Sequence, residues 1–110
     1  MTFAENLKQL APVGDIEKLE LLDADGTIVA TIENKPGQAG SLAVYRHLVE
    51  RFGRIDKSAA TLGLDLYAEH ARDAEHNPGK HPNIDRLFSV IRGNLSLKAR
   101  IQRKVPGASA

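Results

Sequence analysis

Two stretches near the N-terminus alternate between apolar and polar residues, which is the pattern of β-strands with one buried face. Residues 16–22 and 28–32 carry this alternation. The turn signal DADG separates them, and Gly26 can adopt the positive φ that such a turn requires. The pattern predicts a β-hairpin over residues 16–32, which must pack on another element because an isolated hairpin is barely stable.

A second alternating stretch, residues 95–102, lies near the C-terminus. Apolar and polar residues alternate through its whole length, as in a half-buried strand. Leu97 and Ile101 also satisfy helical spacing, so a helix is the alternative. We expect a strand, because the alternation is the more complete match and a third strand stabilises the hairpin.

Between these stretches, apolar residues at helical spacing predict three amphipathic helices. The first begins at Ser41, a candidate N-cap, and ends at Gly53. The second occupies residues 56–76 and ends at an NPG turn. The third begins with Pro82, which suits a first helical turn, and ends at Gly93.

A short helix is also predicted at the N-terminus. Its apolar residues at helical spacing are Phe3, Leu7 and Leu10. Thr2 and Glu5 stand in capping-box register, and Pro12 ends the helix. Farther along the chain, Gly63 interrupts the second amphipathic helix at a cost of about 1 kcal/mol relative to alanine. A close crossing with another helix would explain a glycine at this position.

Together these elements predict an α+β fold. A small antiparallel sheet, made of hairpin 16–32 and a possible C-terminal strand 95–102, packs against three amphipathic helices, with a short N-terminal helix in addition. A chain of 110 residues suits a single core. We therefore expect one domain over residues 1–104, with residues 105–110 forming a frayed tail.

Composition excludes several classes of protein. The chain has no cysteine, so disulfides, zinc ribbons, iron–sulfur clusters and thiol catalysis are ruled out. No apolar run approaches the roughly 20 residues of a membrane span. The opening MTFAENLKQLAPVGD lacks the basic and then apolar order of a signal peptide. We expect a cytoplasmic protein with no membrane partner.

The net charge of +1 conceals a gradient along the chain. Residues 1–35 contain seven acidic residues and three lysines, whereas residues 86–110 contain six basic residues and no acidic one. This asymmetry fits an acidic or nucleic-acid partner. It equally fits two ends of the chain that pair with each other in the fold.

The basic C-terminus is a candidate surface for a partner or for nucleic acid. Its residues are Lys98, Arg100, Arg103 and Lys104. No aromatic residue follows Phe88, so the platforms on which bases stack are missing, and the sequence disfavours a nucleic-acid partner. Basic residues that protect an edge strand from self-association are the ordinary alternative.

The stretch AEHARDAEHNPGKHPNIDRL, residues 68–87, holds three of the four histidines among acidic residues. On a helix, Glu69, Asp73 and His76 share one face, and His81 follows the turn. Zinc, manganese or iron accepts imidazole and carboxylate ligands together, so the spacing permits a metal site. The HExxH pattern is absent, and a solvated, salt-bridged helix end explains the same residues.

Two predicted helix starts are candidates for anion binding, because exposed N–H groups there attract negative charge. Lys80 and His81 precede the third helix, where GKHPN could hold a phosphate or carboxylate; a cap and turn is the alternative. KPGQAGS, residues 35–41, places glycines before the first helix but lacks P-loop spacing, which favours a flexible connection. His70 lies on an apolar stripe and fits a structural histidine better than a ligand.

The segments NKPGQAGSLAVY and NPGKHPNIDRLF, in this order after an N-terminal hairpin, resemble a family of short bacterial proteins of uncharacterised function. The resemblance covers most of the chain and implies a bacterial, cytoplasmic origin. No activity is attached to these motifs, so the resemblance assigns no catalytic or binding residue.

The sequence contains no complete catalytic constellation, which favours a small binding or accessory protein without catalytic activity of its own. We expect no cofactor, and a protein partner or a second copy of the chain as the binding partner. One alternative is a small enzyme that uses zinc, manganese or iron at the cluster in residues 69–81. A second is weak nucleic-acid binding through the basic C-terminus.

Overall fold

A computed structural model describes residues 1–105 of the chain. Its helices and strands are α1 (Phe3–Leu7), β1 (Ile16–Leu22), β2 (Ile28–Glu33), α2 (Ala39–Phe52), α3 (Lys57–Tyr67), α4 (Glu69–His76), α5 (Pro82–Gly93) and β3 (Lys98–Arg103). The strands form one antiparallel sheet in the order β2-β1-β3. The predicted α+β class is confirmed. Of the predicted tail at residues 105–110, only Val105 lies within the described residues.

The hairpin predicted over residues 16–32 is confirmed. In its turn, Asp23 Oδ1 accepts the backbone N–H groups of Asp25 at 2.9 Å and Thr27 at 3.0 Å. Gly26 has a φ of 84°, in the left-handed region that glycine tolerates. The aspartate side chain and the glycine thus hold the tight turn that brings β2 back alongside β1.

The C-terminal strand is confirmed, but it begins later than predicted. The Leu95 N–H donates to the Val90 carbonyl at 3.0 Å, which closes the end of α5. Leu97 forms an isolated bridge with Ile55, in the loop before α3. The first part of the alternating stretch 95–102 is therefore engaged outside the sheet, and regular pairing with β1 starts only afterwards.

The acidic and basic ends of the chain meet in the sheet. Arg100 Nε on β3 donates to Oε1 of Glu20 on β1 at 2.9 Å, and Arg100 Nη2 lies 2.9 Å from the same oxygen. Arg103 Nη1 lies 2.6 Å from Asp15 Oδ2, just before β1. Glu20 is 8% exposed, so its pair with Arg100 partly compensates a buried charge. Ion pairs between the acidic N-terminal part and the basic C-terminal part of the chain thus explain part of the charge gradient.

The short N-terminal helix is confirmed, together with its capping box. Thr2 Oγ1 accepts the Glu5 N–H at 3.2 Å, and Glu5 Oε1 accepts the Thr2 N–H at 2.9 Å. The helix ends at Leu7, well before the predicted end at Pro12, because turns replace the helical hydrogen bonds after that residue. Pro82 at the start of α5 is also confirmed.

The prediction of one unbroken helix over residues 56–76 is wrong, because two helices occupy this stretch. The chain breaks at Ala68, so that α3 ends at Tyr67 and α4 begins at Glu69. Ala68 has a φ of 53° and a ψ of −118°. This is a strained conformation for a residue with a Cβ, and helical periodicity alone gives no sign of it.

The core lies between the helices and one face of the sheet. Helix α2 packs on β1 and β2, and α3 packs against both α2 and α5. The close crossing predicted at Gly63 is confirmed: a Cβ there would lie 2.7 Å from Leu87 Cδ1 and 2.9 Å from Leu48 Cδ1. Within residues 1–105, the helices fall short of the length and apolar character that crossing a membrane requires.

Candidate functional site

A cavity of about 400 Å³ opens where the starts of α2 and α5 meet the junction of α3 and α4. Small-molecule pockets usually measure about 300–1,000 Å³, so this one is of ligand size. The residues that line it are Phe3, Gly37, Ala39, Gly40, Ser41, Tyr67, His70, Lys80, His81, Pro82, Asn83 and Ile84. They come from four separate parts of the chain, and only the fold brings them together.

Two walls of the cavity are the first turns of α2 and α5. The residues before these helices, Gln38 and His81, make no side-chain cap. The N–H groups of a first helical turn have no partner within the helix, and they carry the positive end of the helix dipole. Some of these groups are already engaged. The Ala39 N–H donates to the Lys35 carbonyl at 3.0 Å, and the Ile84 N–H donates to the His81 carbonyl at 3.0 Å. The positive ends of both helix dipoles favour a negatively charged group in the cavity.

Ser41 lies inside the first turn of α2, so its predicted role as N-cap is wrong. Its Oγ accepts a hydrogen bond from the Tyr67 hydroxyl at 2.6 Å. Burial raises the pKa of Tyr67, which keeps the phenol protonated as the donor. This bond connects the end of α3 to the start of α2, and it fixes the part of the cavity surface that these two elements form.

The start of α5 is held in place by a second buried tyrosine. The Tyr45 hydroxyl donates to the Asn83 carbonyl, and Arg86 Nη1 donates to the Tyr45 hydroxyl at 3.1 Å and to Asn83 Oδ1 at 2.8 Å. Burial raises the pKa of Tyr45 to about 12. The first turn of α5 thus has a fixed position at the cavity.

Lys80 and His81 form the polar side of the cavity, and Asp73 on α4 orients both. Asp73 Oδ2 lies 2.6 Å from His81 Nε2 and 3.0 Å from Lys80 Nζ. The hydrogen bond from His81, followed by that from Lys80, lowers the pKa of Asp73 to about 2. The carboxylate is therefore ionised in neutral solution, and it holds two nitrogen-bearing side chains beside the cavity.

Another part of the cavity wall is aromatic. The Phe3 ring stacks on Tyr67 with centroids 5.3 Å apart and meets the edge of His70 at 5.1 Å. The His70 and His81 rings lie 5.8 Å apart. A planar apolar group could contact this side while a charged group reaches the helix starts.

The four residues of the metal hypothesis, Glu69, Asp73, His76 and His81, are not gathered at one point. Asp73 and His81 are in contact, but Glu69 Oε1 accepts the Phe3 N–H at 2.8 Å, and His76 Nδ1 contacts the Arg72 carbonyl at 2.8 Å. Within residues 1–105, no three His, Asp or Glu side chains are arranged to hold a metal ion.

The anion candidates Lys80 and His81 do line the cavity, and part of KPGQAGS lines it as well. Sequence reasoning treated these two segments separately and did not join them. It missed Phe3 and Tyr67 as site residues, since both satisfy ordinary core patterns. His70, expected to be structural, contacts Phe3 and lines the cavity as well.

The basic C-terminal residues Lys98, Arg100, Arg103 and Lys104 do not line this cavity. They belong to β3, an edge strand, or follow it directly. The ion pairs of Arg100 with Glu20 and of Arg103 with Asp15 leave less free positive charge for a polyanion.

Comparison with known proteins identifies the chain's family. The model of a family described as an uncharacterised protein conserved in bacteria, DUF2322, matches residues 3–101. The chain belongs to the DUF2322 family. The resemblance seen in the sequence is thereby confirmed, and the match includes every residue that lines the cavity. No curated protein and no solved structure matches this DUF2322 chain.

Proposed function

We propose that this DUF2322 protein is a binding protein whose ligand is a small anion that carries a planar apolar group. The observation that supports this most strongly is the cavity itself, in which two helix starts without side-chain caps, Lys80 and His81 lie beside an aromatic wall. Phosphate or carboxylate is the chemistry that such helix starts accommodate. A ring next to Phe3 and His70 suits the other side.

Each part of the site has a separate role in this proposal. The helix starts and Lys80 bind the charged group, and Asp73 fixes the orientation of the His81 ring beside them. Phe3 and Tyr67 contact the apolar group. Asp73 offsets part of the positive charge of Lys80. Selectivity for the anion therefore depends on the direction of the N–H groups as well as on the net charge of the cavity. The function is binding, and a protein partner or second copy of the chain remains an expectation from the sequence.

The test is to titrate the full-length protein separately with phenyl phosphate, inorganic phosphate and benzyl alcohol. Binding is measured by calorimetry and by NMR of the backbone amides. We expect phenyl phosphate to bind, inorganic phosphate to bind more weakly, and the neutral alcohol not to bind. Amide shifts should concentrate at the starts of α2 and α5. Absence of binding by all three compounds, or shifts spread over the whole surface, contradicts the proposal.

A charge-removing variant makes the test specific. Lys80→Met removes a charged hydrogen-bond donor, and a bond of that kind contributes about 1.5 kcal/mol, so affinity should fall about tenfold. Lys57→Met is the matched control, because Lys57 is exposed at the far end of α3 and does not line the cavity. Equal effects of the two substitutions would show that only overall charge attracts the anion.

A further inference from the structure

The break between α3 and α4 occurs where the sequence most favours an unbroken helix. Alanine is the best helix former, and the apolar stripe continues from α3 into α4. Yet Ala68 adopts a φ of 53° with a ψ of −118°. Such a conformation persists only when surrounding contacts enforce it. The question is which contacts hold the bend.

Helix α1 makes contacts on both sides of the bend. Asn6 Nδ2 donates to the Leu66 carbonyl at 2.9 Å. In a continuous helix that carbonyl would accept the His70 N–H, four residues farther on. The Asn6 side chain therefore replaces a hydrogen bond that the bend removes.

On the other side, Glu69 Oε1 accepts the Phe3 N–H at 2.8 Å, at the start of α1. The Phe3 ring stacks on Tyr67, the last residue of α3, and meets the edge of His70, near the start of α4. Gly40 leaves room for this ring, since a Cβ there would lie 3.3 Å from Phe3 Cζ. Helix α1 thus contacts residues before and after Ala68 through backbone, side-chain and ring interactions.

We propose that α1 is a clamp that holds the chain bent at Ala68, and that its release lets residues 57–76 form one continuous helix. A helix of five residues is marginal by itself, so α1 is held in place by these contacts, and their loss releases it from the bend. Release relieves the strained φ and restores the hydrogen bond between Leu66 and His70.

The two states differ at the cavity, because Phe3, Tyr67 and His70 form its aromatic wall. Straightening moves His70 away from Phe3 and opens this wall. The consequence for ligand entry rests on the proposed function, whereas the change between bent and straight helices does not depend on it.

The absence of native cysteine allows a direct distance measurement. Spin labels on Thr61→Cys and Glu75→Cys, both exposed positions, span the bend in the full-length protein. In a continuous helix, 14 residues separate the two Cα atoms by about 21 Å, and the bend shortens this distance. We expect one short distance in the otherwise unchanged chain. A second, longer distance should appear once Asn6→Ala and Glu69→Ala remove the two hydrogen bonds of the clamp.

Gln9→Ala with Arg72→Ala is the matched control, because these exposed residues lie just after α1 and on α4 without bridging the bend. It should leave the distance distribution unchanged. A single short distance in the Asn6→Ala, Glu69→Ala protein with its fold retained overturns the proposal. The measurement uses unliganded protein, so its result is independent of whether phenyl phosphate binds.

A second variant tests the bend even if removal of the clamp unfolds the protein. Ala68→Gly accepts the positive φ, so it should raise the melting temperature by up to about 5 °C and keep the short distance. Ala43→Gly, in the middle of the regular helix α2, should lower the melting temperature. A fall of similar size for both glycines overturns the clamp, because it would mean that Ala68 is not strained.

Discussion

Replacing Gly63 with alanine tests the close packing of α3 against α2 and α5. The added Cβ would lie 2.7 Å from Leu87 Cδ1 and 2.9 Å from Leu48 Cδ1, both closer than ordinary van der Waals contact. Both leucines are fully buried, so their methyl groups have little room to move. The substitution therefore places a methyl group in a space that is already occupied.

Two opposing effects set the size of the change. Alanine in place of glycine favours a helix by about 1 kcal/mol. Overpacking of a buried crossing costs about 1–3 kcal/mol. We expect a net loss of about 0–2 kcal/mol in the free energy of unfolding, which lowers the melting temperature by about 4 °C for each kcal/mol in a domain of this size. The exposed substitution Asp65→Ala in the same helix should instead be neutral or slightly stabilising, since it adds helix propensity without a clash.

A double-mutant cycle with Leu87→Ala provides the decisive measurement. Leu87→Ala alone should cost about 2–5 kcal/mol, because it opens a cavity at the crossing. In that background the clash with Leu87 is gone and the new methyl of Gly63→Ala partly fills the cavity, so this substitution should be less destabilising than in the wild-type protein. Urea unfolding of the four proteins gives the coupling energy, which we expect to be about 1–2 kcal/mol. Additive effects would refute the close crossing as the reason for glycine at this position.

Three further predictions concern single side chains. Asp56 Oδ1 accepts the Ala59 N–H at 2.9 Å, so Asp56→Ala should lower the free energy of unfolding by about 1 kcal/mol in thermal melts, whereas Asp56→Asn should nearly preserve it. The pKa of Asp73 is lowered from 3.8 to about 2, so its stabilising contribution is complete above pH 4 and disappears as the pH falls towards 2. Melts should show the difference between wild type and Asp73→Asn shrinking over this range, and a constant difference would contradict the assignment. The pKa of Tyr45 is raised from 10.0 to about 12, so the unfolded chain ionises first and stability falls as the pH rises between these values. Tyr45→Phe should weaken this alkaline loss, and an unchanged profile would mean that Tyr45 does not contribute.

The elements that depend on local pattern could be predicted from the sequence. The hairpin follows from alternation around Gly26, and the start of α5 follows from Pro82, because both signals act within a few residues. The bend at Ala68 could not be predicted. Its cause is α1, some 60 residues earlier in the chain, and the sequence around Ala68 favours an unbroken helix.

The residues of the candidate site also divide into those that the sequence predicts and those that it does not. Lys80 and His81 could be selected because a basic pair before a helix start suggests anion binding. Phe3 and Tyr67 could not, since aromatic residues on apolar stripes normally belong to the core. Only the fold places the start of α2 next to the start of α5, and the cavity arises from that placement.

The position of β1 between β2 and β3 also affects how the chain reaches its native state. Its second neighbour, Lys98–Arg103, is the last strand along the chain, about 80 residues away. During synthesis, the N-terminal half leaves the ribosome with one side of β1 lacking its partner strand. Such distant pairing slows folding, so one side of β1 stays open to neighbouring molecules until β3 has been synthesised.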